Sequence, residues 1–421
     1  MTNYKSDLMK TLTERGFLYQ CTDEEGLDKA ASSSVVTGYI GFDCTAPSLH
    51  VGSLVQIMML RHLQKSGGRP IVLLGGGTTK IGDPSMKDKT RPILTDEMIE
   101  ENKLGIKQVF SNFINFDGDN PAILVDNAEW LDNLGYIEFL RIVGTQFTIN
   151  RMVTMETAKR RLENELPMTF LEFNYPLLQS YDFVELNKRF GCTLQLGGSD
   201  QWGNIVTGVD LTRRMEGNEV YGFTTPLITT ASGGKMGKTV DGAIWLNGDP
   251  GLSEHHFRTP YEYWQFWRNT DDADVGRFLR LFTDVSLDEI AKLEALEGAD
   301  INIAKARLAD EATTLLHGAN AAKEAAETAK QTFEQGMAAE GLPTFNVERS
   351  ELGSLGILAA TVMARLAVSN GEARRHVKAG ALKVNDEKVA THEKVLENAD
   401  VKEGIIKLSV GKKKHALLKI V

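Results

Sequence analysis

Cysteine is scarce in this chain. Only Cys21, Cys44 and Cys192 occur among 421 residues, an odd number set far apart. That pattern offers neither a disulfide framework nor the paired spacing of a zinc site, so no protein-held metal is expected and a reducing cytoplasm is the default compartment. Long apolar runs are missing too. No stretch is apolar for the roughly 20 residues that a membrane helix needs. The N-terminus, MTNYKSDLMKTLTERG, lacks the apolar core of a secretion signal. There is no internal repeat and no low-complexity tract. Positive charge is in short supply overall, with a formal net charge of −10. A chain whose whole surface grips nucleic acid is therefore not expected.

What positive charge there is lies at one end. Residues 355–421 hold 13 Lys and Arg against 7 Asp and Glu, a net of +6, which leaves −16 for the rest. A basic tail on an acidic body calls for its own explanation. The length suggests roughly three domains at about 150 residues each. Hydrophobic residues at 42% and charged residues at 25% suit ordinary packed domains rather than disorder.

The stretch SSVVTGYIGFD reads as a strand, rich in β-branched and aromatic residues. HVGSLVQIMMLRHLQK follows as a helix that is apolar around most of its circumference, stopped by Gly67 and Gly68. RPIVLLGGG is then a short buried strand ending in glycines. Strand, helix, strand with short connections is a βαβ unit, the start of a doubly wound parallel sheet. Ligands of such sheets bind beyond the carboxyl ends of the strands, where His50 and Gly75–Gly77 fall. The expected fold class is α/β: a parallel-sheet nucleotide-binding domain over 1–250, a helical domain over 251–335, a linker over 336–353, and a small α+β domain over 354–421. The helical segment rests on Ala, Glu and Lys at helical spacing, as in AAKEAAETAKQTFEQG.

Three stretches carry candidate chemistry. A helix start offers free N–H groups and the positive end of a dipole, so His50 and Gly52 stand where a phosphate could bind. A lone histidine there is more often a cap. GGGTTKIGDPSMK has two glycines at P-loop spacing, Gly77 and Gly82, but Asp83 stands where the lysine must be, which rejects that reading. GGKMGKT, at 233–239, places two lysines three apart in a glycine-rich loop that could follow a shifting phosphate. Alone it reads as a solvated loop.

HVGS and KMGKT together change the weighing. They resemble the His-Ile-Gly-His and Lys-Met-Ser-Lys-Ser signatures of the class I aminoacyl-tRNA synthetases. GYIGFDCTAPSLHVGS, IGDPSMKDKTR, NYPLLQSYDF and LQLGGSDQWGNI narrow the resemblance to the bacterial-type tyrosyl-tRNA synthetases, over nearly the whole chain. The resemblance implies tyrosine, ATP with Mg²⁺, and tRNA(Tyr) as substrates, and a cytoplasmic homodimer. It implies that Tyr39 and Asp182 hold a phenolic hydroxyl. Asp83, Tyr175 and Gln179 would grip an ammonium, with Gln201 near the carboxylate. Gly198 and Asp200 would meet the ATP ribose, and Thr45 and His50 the phosphates. Gly41, Asp43, Gly52 and Ser53 would complete the ATP site. Lys235, Lys238 and Thr239 would close over pyrophosphate, with Lys87 and Arg91 opposite. Arg213 and Arg214 would touch the acceptor stem.

The residues themselves support part of this. Tyr175, Gln179 and Asp182 are four and three apart, which puts three polar groups on one helix face amid Leu and Phe. Such groups need partners. Two departures matter. Ser53 replaces the second signature histidine, and Ile40 and Cys44 stand where relatives often have a polar residue and a proline. In the basic tail, SNGEARRHVKAGALKVNDEKV reads as a helix, a glycine stop and a hairpin around Asn385–Asp386, with Arg374, Arg375, Lys378 and Lys383 clustered. It resembles an RNA-binding module shared with a ribosomal small-subunit protein and pseudouridine synthases. Two rival classes remain: a free nucleotidyltransferase, which needs no RNA-binding tail, and a non-catalytic RNA-binding relative, which need not keep His50, Lys235 and Lys238.

Overall fold

The computed structural model describes residues 4–85, 94–118, 120–231, 233, 236, 238–239, 242–248, 256–335, 342–411 and 414–421; at 238–239, 242 and 332–335 only the backbone is described. The chain forms two compact units. The first comprises Met1–Thr229, Pro250–His256 and Arg280–Phe282; the second comprises Thr230–Asp249, Phe257–Leu279 and Thr283–Val421.

In the first unit, β1 (Gln20–Cys21), β2 (Thr37–Phe42), β3 (Arg69–Leu74), β4 (Ile123–Asp126), β5 (Leu194–Gly198) and β6 (Tyr221–Thr225) form one sheet in the order β1-β6-β5-β2-β3-β4. β2 to β6 run parallel, and β1 is an antiparallel edge. The parallel strands are short apolar runs because helices cover both faces of such a sheet. β2 is central: Tyr39 lies opposite Ile71 of β3 on one side and Gln195 of β5 on the other. The strand order reverses between β2 and β5, and a crevice opens at that point.

Helix ends follow local chemistry. The helix Val51–Lys65 begins at His50 and is followed by Gly67 at φ 83°. The long helix Phe170–Phe190 opens with a capping box between Thr169 and Glu172 and stops at Gly191, at φ 62°. Pro176, in its second turn, leaves the Glu172 carbonyl without its i→i−4 amide. Arg161, fully buried, meets Glu172 and donates to the Pro167 carbonyl. A buried ion pair of this kind fixes the start of the long helix more than it stabilises the fold.

The helix Asp96–Ser111 clamps the loop before His50. Asn102 donates to the Cys44 carbonyl at 2.8 Å. A Cβ on Gly105 would lie 1.8 Å from the Pro47 carbonyl oxygen, so only glycine lets the two backbones meet.

In the second unit, β7 (Lys238–Thr239) and β8 (Gly242–Ala243) form a small hairpin. The helices Pro260–Arg268, Ile301–His317 and Ala319–Gln335 pack on one another. β9 (Thr344–Val347), β10 (Leu382–Val384), β11 (Glu387–Lys388), β12 (Ile405–Val410) and β13 (Lys414–Ile420) make a second sheet, in the order β11-β10-β12-β13-β9. Its core includes Ile357, Leu382, Leu396, Ile406, Leu408 and Leu418. Asn385 and Asp386 turn β10 into β11 at φ 49° and 70°, the two positive angles of the tight hairpin expected there.

The linker expectation needs correction. Residues 336–341 lie outside the described residues, but 344–347 are β9, paired in parallel with β13. The alternation Thr-Phe-Asn-Val is that of a half-buried edge strand, and it is too short to stand out between Pro343 and Glu348. Val347 is buried in the C-terminal core. A fragment starting at residue 354 should therefore be less stable than one starting at 342. Loss of a buried valine and a strand pairing is worth at least ~1.5–3 kcal/mol. At about 4–8 °C per kcal/mol for a domain of this size, thermal melts followed by circular dichroism should differ by at least roughly 6 °C. Equal melting temperatures would make β9 dispensable.

Candidate active site

The crevice lies beyond the carboxyl ends of β2, β3, β4 and β5. The glycine-rich turn after β3 forms one wall. The Gly76 amide donates to Asp126 Oδ1 at 3.0 Å and the Gly77 amide to Asn127 Oδ1 at 2.8 Å. Amides that would cradle phosphate in a P-loop are here held by the protein's own side chains. A Cβ on Gly75 would stand 2.5 Å from Asp43 Oδ1, so a larger residue there would push that carboxylate aside.

The floor is polar and buried. Asp182, on the long helix, is buried. It accepts from Asn127 Nδ2 at 3.0 Å and from Trp130 Nε1 at 2.8 Å. Burial pushes its carboxyl from the usual 3.8 up to about 7, against the pull of those two donors and with a further push from Asp43 and Asp126. Tyr39 is 1% exposed, and its hydroxyl has no hydrogen-bond partner among the described residues. Burial, with the nearby Asp182 charge, raises its pKa well above the usual phenol range. It is a neutral donor and acceptor waiting for a partner.

A chain of hydrogen bonds runs from this floor. Asn127 Nδ2 also donates to Thr78 Oγ1 at 3.1 Å, and Thr78 donates to Asp43 Oδ1 at 3.0 Å. The Tyr175 hydroxyl lies 3.4 Å from both Asp43 oxygens. Burial, then the Asp43 and Asp83 charges, keep that phenol protonated. On the other side, Asp83 accepts from the Ser85 amide and from Gln201 Nε2, each at 2.8 Å. Asn204 Nδ2 donates to Gln179 Oε1 at 2.9 Å and to Gln201 Oε1 at 3.2 Å. The arrangement suits a small molecule with a hydroxyl at its buried end and a cationic group farther out.

At the helix start, His50 is both cap and candidate ligand. Its Nδ1 accepts from the Gly52 amide at 2.9 Å, which makes Nε2 the protonated, donating nitrogen. Ser53 sits one turn in, half-buried, its amide on the His50 carbonyl. Gly41 and Thr45 are exposed at the same mouth. Gly198 ends β5 against Asp200: a Cβ there would meet Asp200 Oδ1 at 2.5 Å.

Other candidates are placed less fully. Lys87, Arg91 and Lys235 lie outside the described residues. Lys238 and Thr239 are known by their backbone, as β7 of the second unit. Arg213 and Arg214 are exposed, and each spends one donor on the protein: Arg213 on the Val220 carbonyl, Arg214 on that of Gln146. Arg374, Arg375 and Lys378 are exposed on the helix Asn370–Lys378, and Lys383 is half-buried on β10. Lys388 lies directly across from Lys383. Two lysines opposed on one face repel unless an anion joins them.

Residues 32–334 match the family described as tRNA synthetases class I (W and Y). The chain belongs to that family. Residues 332–418 match the C-terminal domain described for tyrosine–tRNA ligases. The chain is 58% identical to the tyrosine–tRNA ligase of Methylocella silvestris over 419 residues, 99% of this chain and 98% of that one. It is 57% identical to that of Nitrobacter winogradskyi over the full length of both. Among solved structures, a C-terminally truncated mitochondrial tyrosyl-tRNA synthetase from Aspergillus nidulans matches with a TM-score of 0.70 at 30% identity, over 78% of this chain and 95% of that one. A tyrosyl-tRNA synthetase from Archaeoglobus fulgidus, complexed with L-tyrosine, matches at 0.54 and 19% identity over 76% of this chain, which bears on the fold alone.

For a class I tRNA synthetase, the sequence reading missed four residues of this crevice: Thr78, Asn127, Trp130 and Asn204. Asn127 and Trp130 follow the apolar run AILVD, and their place after a strand was the available signal.

The raised Asp182 pKa makes a prediction about the free enzyme. A carboxyl protonated more readily in the fold than in the unfolded chain contributes stability that is whole below about pH 4 and is lost as pH rises through about 7. Denaturant unfolding of the wild type and of Asp182→Asn should be compared at pH 5 and pH 8. The wild type should lose ~2–3 kcal/mol relative to the variant over that range. A difference that does not change with pH would show Asp182 already ionised at pH 5.

Proposed function

We propose that this enzyme activates tyrosine with ATP, giving tyrosyl-adenylate and pyrophosphate, and then transfers the tyrosyl group to the 3′ end of tRNA(Tyr). The observation that carries this reading is the unpartnered Tyr39 hydroxyl in the same buried floor as Asp182. A phenolic guest donates a hydrogen bond to the Asp182 carboxylate and accepts one from the Tyr39 hydroxyl. Asp83, Tyr175 and Gln179 hold the ammonium, and Gln201 lies near the carboxylate. That carboxylate attacks the α-phosphorus of ATP and pyrophosphate leaves. A ribose hydroxyl of the tRNA then displaces AMP.

Positioning and charge stabilisation suffice for such a step. His50, donating from Nε2, and Thr45 meet the phosphates. Gly198 and Asp200 hold the ribose, with Gly41, Asp43, Gly52 and Ser53 around the nucleotide. Lys235, Lys238, Thr239, Lys87 and Arg91 meet the charge that grows on pyrophosphate. Mg²⁺ enters with the nucleotide, on its phosphate oxygens, and is part of the substrate.

The basic C-terminal domain is read as the tRNA grip, through Arg374, Arg375, Lys378 and Lys383, with Arg213 and Arg214 nearer the acceptor stem. The enzyme is read as a cytoplasmic homodimer. Support comes from an apolar set on the first unit that a lone chain would leave in water: Tyr136, Ile137, Ile149 and Phe170 are each more than 60% exposed.

The test is amino-acid-dependent pyrophosphate exchange. Tyrosine should drive it, and phenylalanine and tryptophan should not. Phenylalanine makes neither the bond to Asp182 nor the one from Tyr39, at ~1–3 kcal/mol each, so discrimination should be no less than about 30-fold. Tyr39→Phe should narrow the ratio of tyrosine to phenylalanine. An unchanged ratio would remove Tyr39 from the site, and exchange driven by another amino acid would overturn the reading.

A further inference from the structure

One residue of the second unit breaks a local rule. Arg365 follows the helix Ile357–Met363 at φ 55°. Its amide bonds the Val362 carbonyl at 2.9 Å, and the Leu366 amide bonds that of Thr361 at 3.0 Å. This is a left-handed helix stop, where glycine is the favoured residue. An arginine held there is accounted for by what its side chain does.

That side chain reaches out of its own domain. The guanidinium carbon lies 4.4 Å from the centroid of the Phe257 ring and 5.7 Å from that of Phe345. Phe345 belongs to β9 of the C-terminal sheet. Phe257 belongs to the segment between the β7–β8 hairpin and the helix Pro260–Arg268. A cation between two aromatic faces is a directional contact, and arginine suits it best because it stacks flat.

From Phe257 the contacts continue to the hairpin. Arg258 Nη1 donates to the Phe257 carbonyl at 2.9 Å and Nη2 donates to the Ala243 carbonyl at 2.9 Å. The Arg258 amide donates to the Asn247 carbonyl at 2.8 Å. Ala243 lies directly opposite Lys238 in the β7–β8 pairing. Three residues, Phe257, Arg258 and Ala243, thus link Arg365 to the strand that carries the signature lysine.

We infer that Arg365 is a positioning residue for the tRNA-dependent step. Clamped between Phe345 and Phe257, it locks the RNA-binding sheet to the segment that steadies the β7–β8 hairpin. RNA held on the helix Asn370–Lys378, five residues after Arg365, then biases the hairpin through one rigid connection. This rests on the proposed role of Lys238. A chain of contacts is not itself coupling, so the test must measure coupling.

The full-length enzyme is compared with Arg365→Gly, Arg365→Lys, Phe257→Leu and the double variant Arg365→Gly/Phe257→Leu. Glycine relaxes the backbone, so folding is not at risk at that position. Without tRNA, tyrosine-dependent pyrophosphate exchange should stay within about twofold of wild type in all four. kcat/KM for tRNA charging should fall about tenfold in Arg365→Gly, with Arg365→Lys recovering part of the loss. The double variant should be no worse than the poorer single variant. Normal charging by Arg365→Gly, fully additive losses, or a parallel fall in exchange would each overturn the inference. Lys238→Ala runs beside these as a control. If it exchanges pyrophosphate at the normal rate, the loop assignment fails, and the inference built on it fails too.

Discussion

Asp182 is a carboxylate taken out of water, and the crevice is assembled around that constraint. A buried carboxyl without donors would be neutral and its place in the core costly. Two donors reach it, from the Asn127 amide and the Trp130 indole. Asn127 does more than solvate it. The same side chain accepts from the Gly77 amide and donates to Thr78. One residue at the end of β4 therefore fixes the glycine-rich turn after β3 and the polar floor together. The partners keep Asp182 close to its ionisation point without settling it to either side. On the proposed function, a hydroxyl-bearing guest settles it, because the ionised form is the better acceptor.

The backbone frame was legible in the sequence because it rests on local signals. The βαβ unit, the glycine stops, the Asn385–Asp386 turn and the helical face of Tyr175, Gln179 and Asp182 all follow from spacing and turn chemistry. The failed P-loop pattern was legible too: Asp83 in the lysine position excluded it, and the structure shows those amides occupied by Asp126 and Asn127. The partners of Asp182 were not legible. Asn127 and Trp130 are more than fifty residues from it, and nothing in their own neighbourhood says what they face. β9 escaped for a different reason. Four residues give only two alternations, and a strand that short is defined by its partner β13 rather than by its own pattern.

The uneven charge of the chain matches its division of labour. The acidic body holds a crevice with four carboxylates in or beside it, Asp43, Asp83, Asp126 and Asp182, which suits a cationic ammonium. The basic end carries its own core and exposes Arg374 and Arg375 on one helix. A solvated helix alone would explain the exposure of Arg374 and Arg375. It would not explain Lys383 placed opposite Lys388, nor an arginine in a glycine position at Arg365.

The central claim is that Asp182 receives the phenolic hydroxyl of tyrosine as a carboxylate. Isothermal titration of the enzyme with tyrosine, repeated at pH 7 in buffers of different ionisation enthalpy, reads the protons exchanged on binding. With the free carboxyl titrating at about 7, roughly half a proton should be released per site at pH 7. The release should shrink as the pH is raised to 8.5. Binding with no proton release at pH 7, or with proton uptake, would contradict the account.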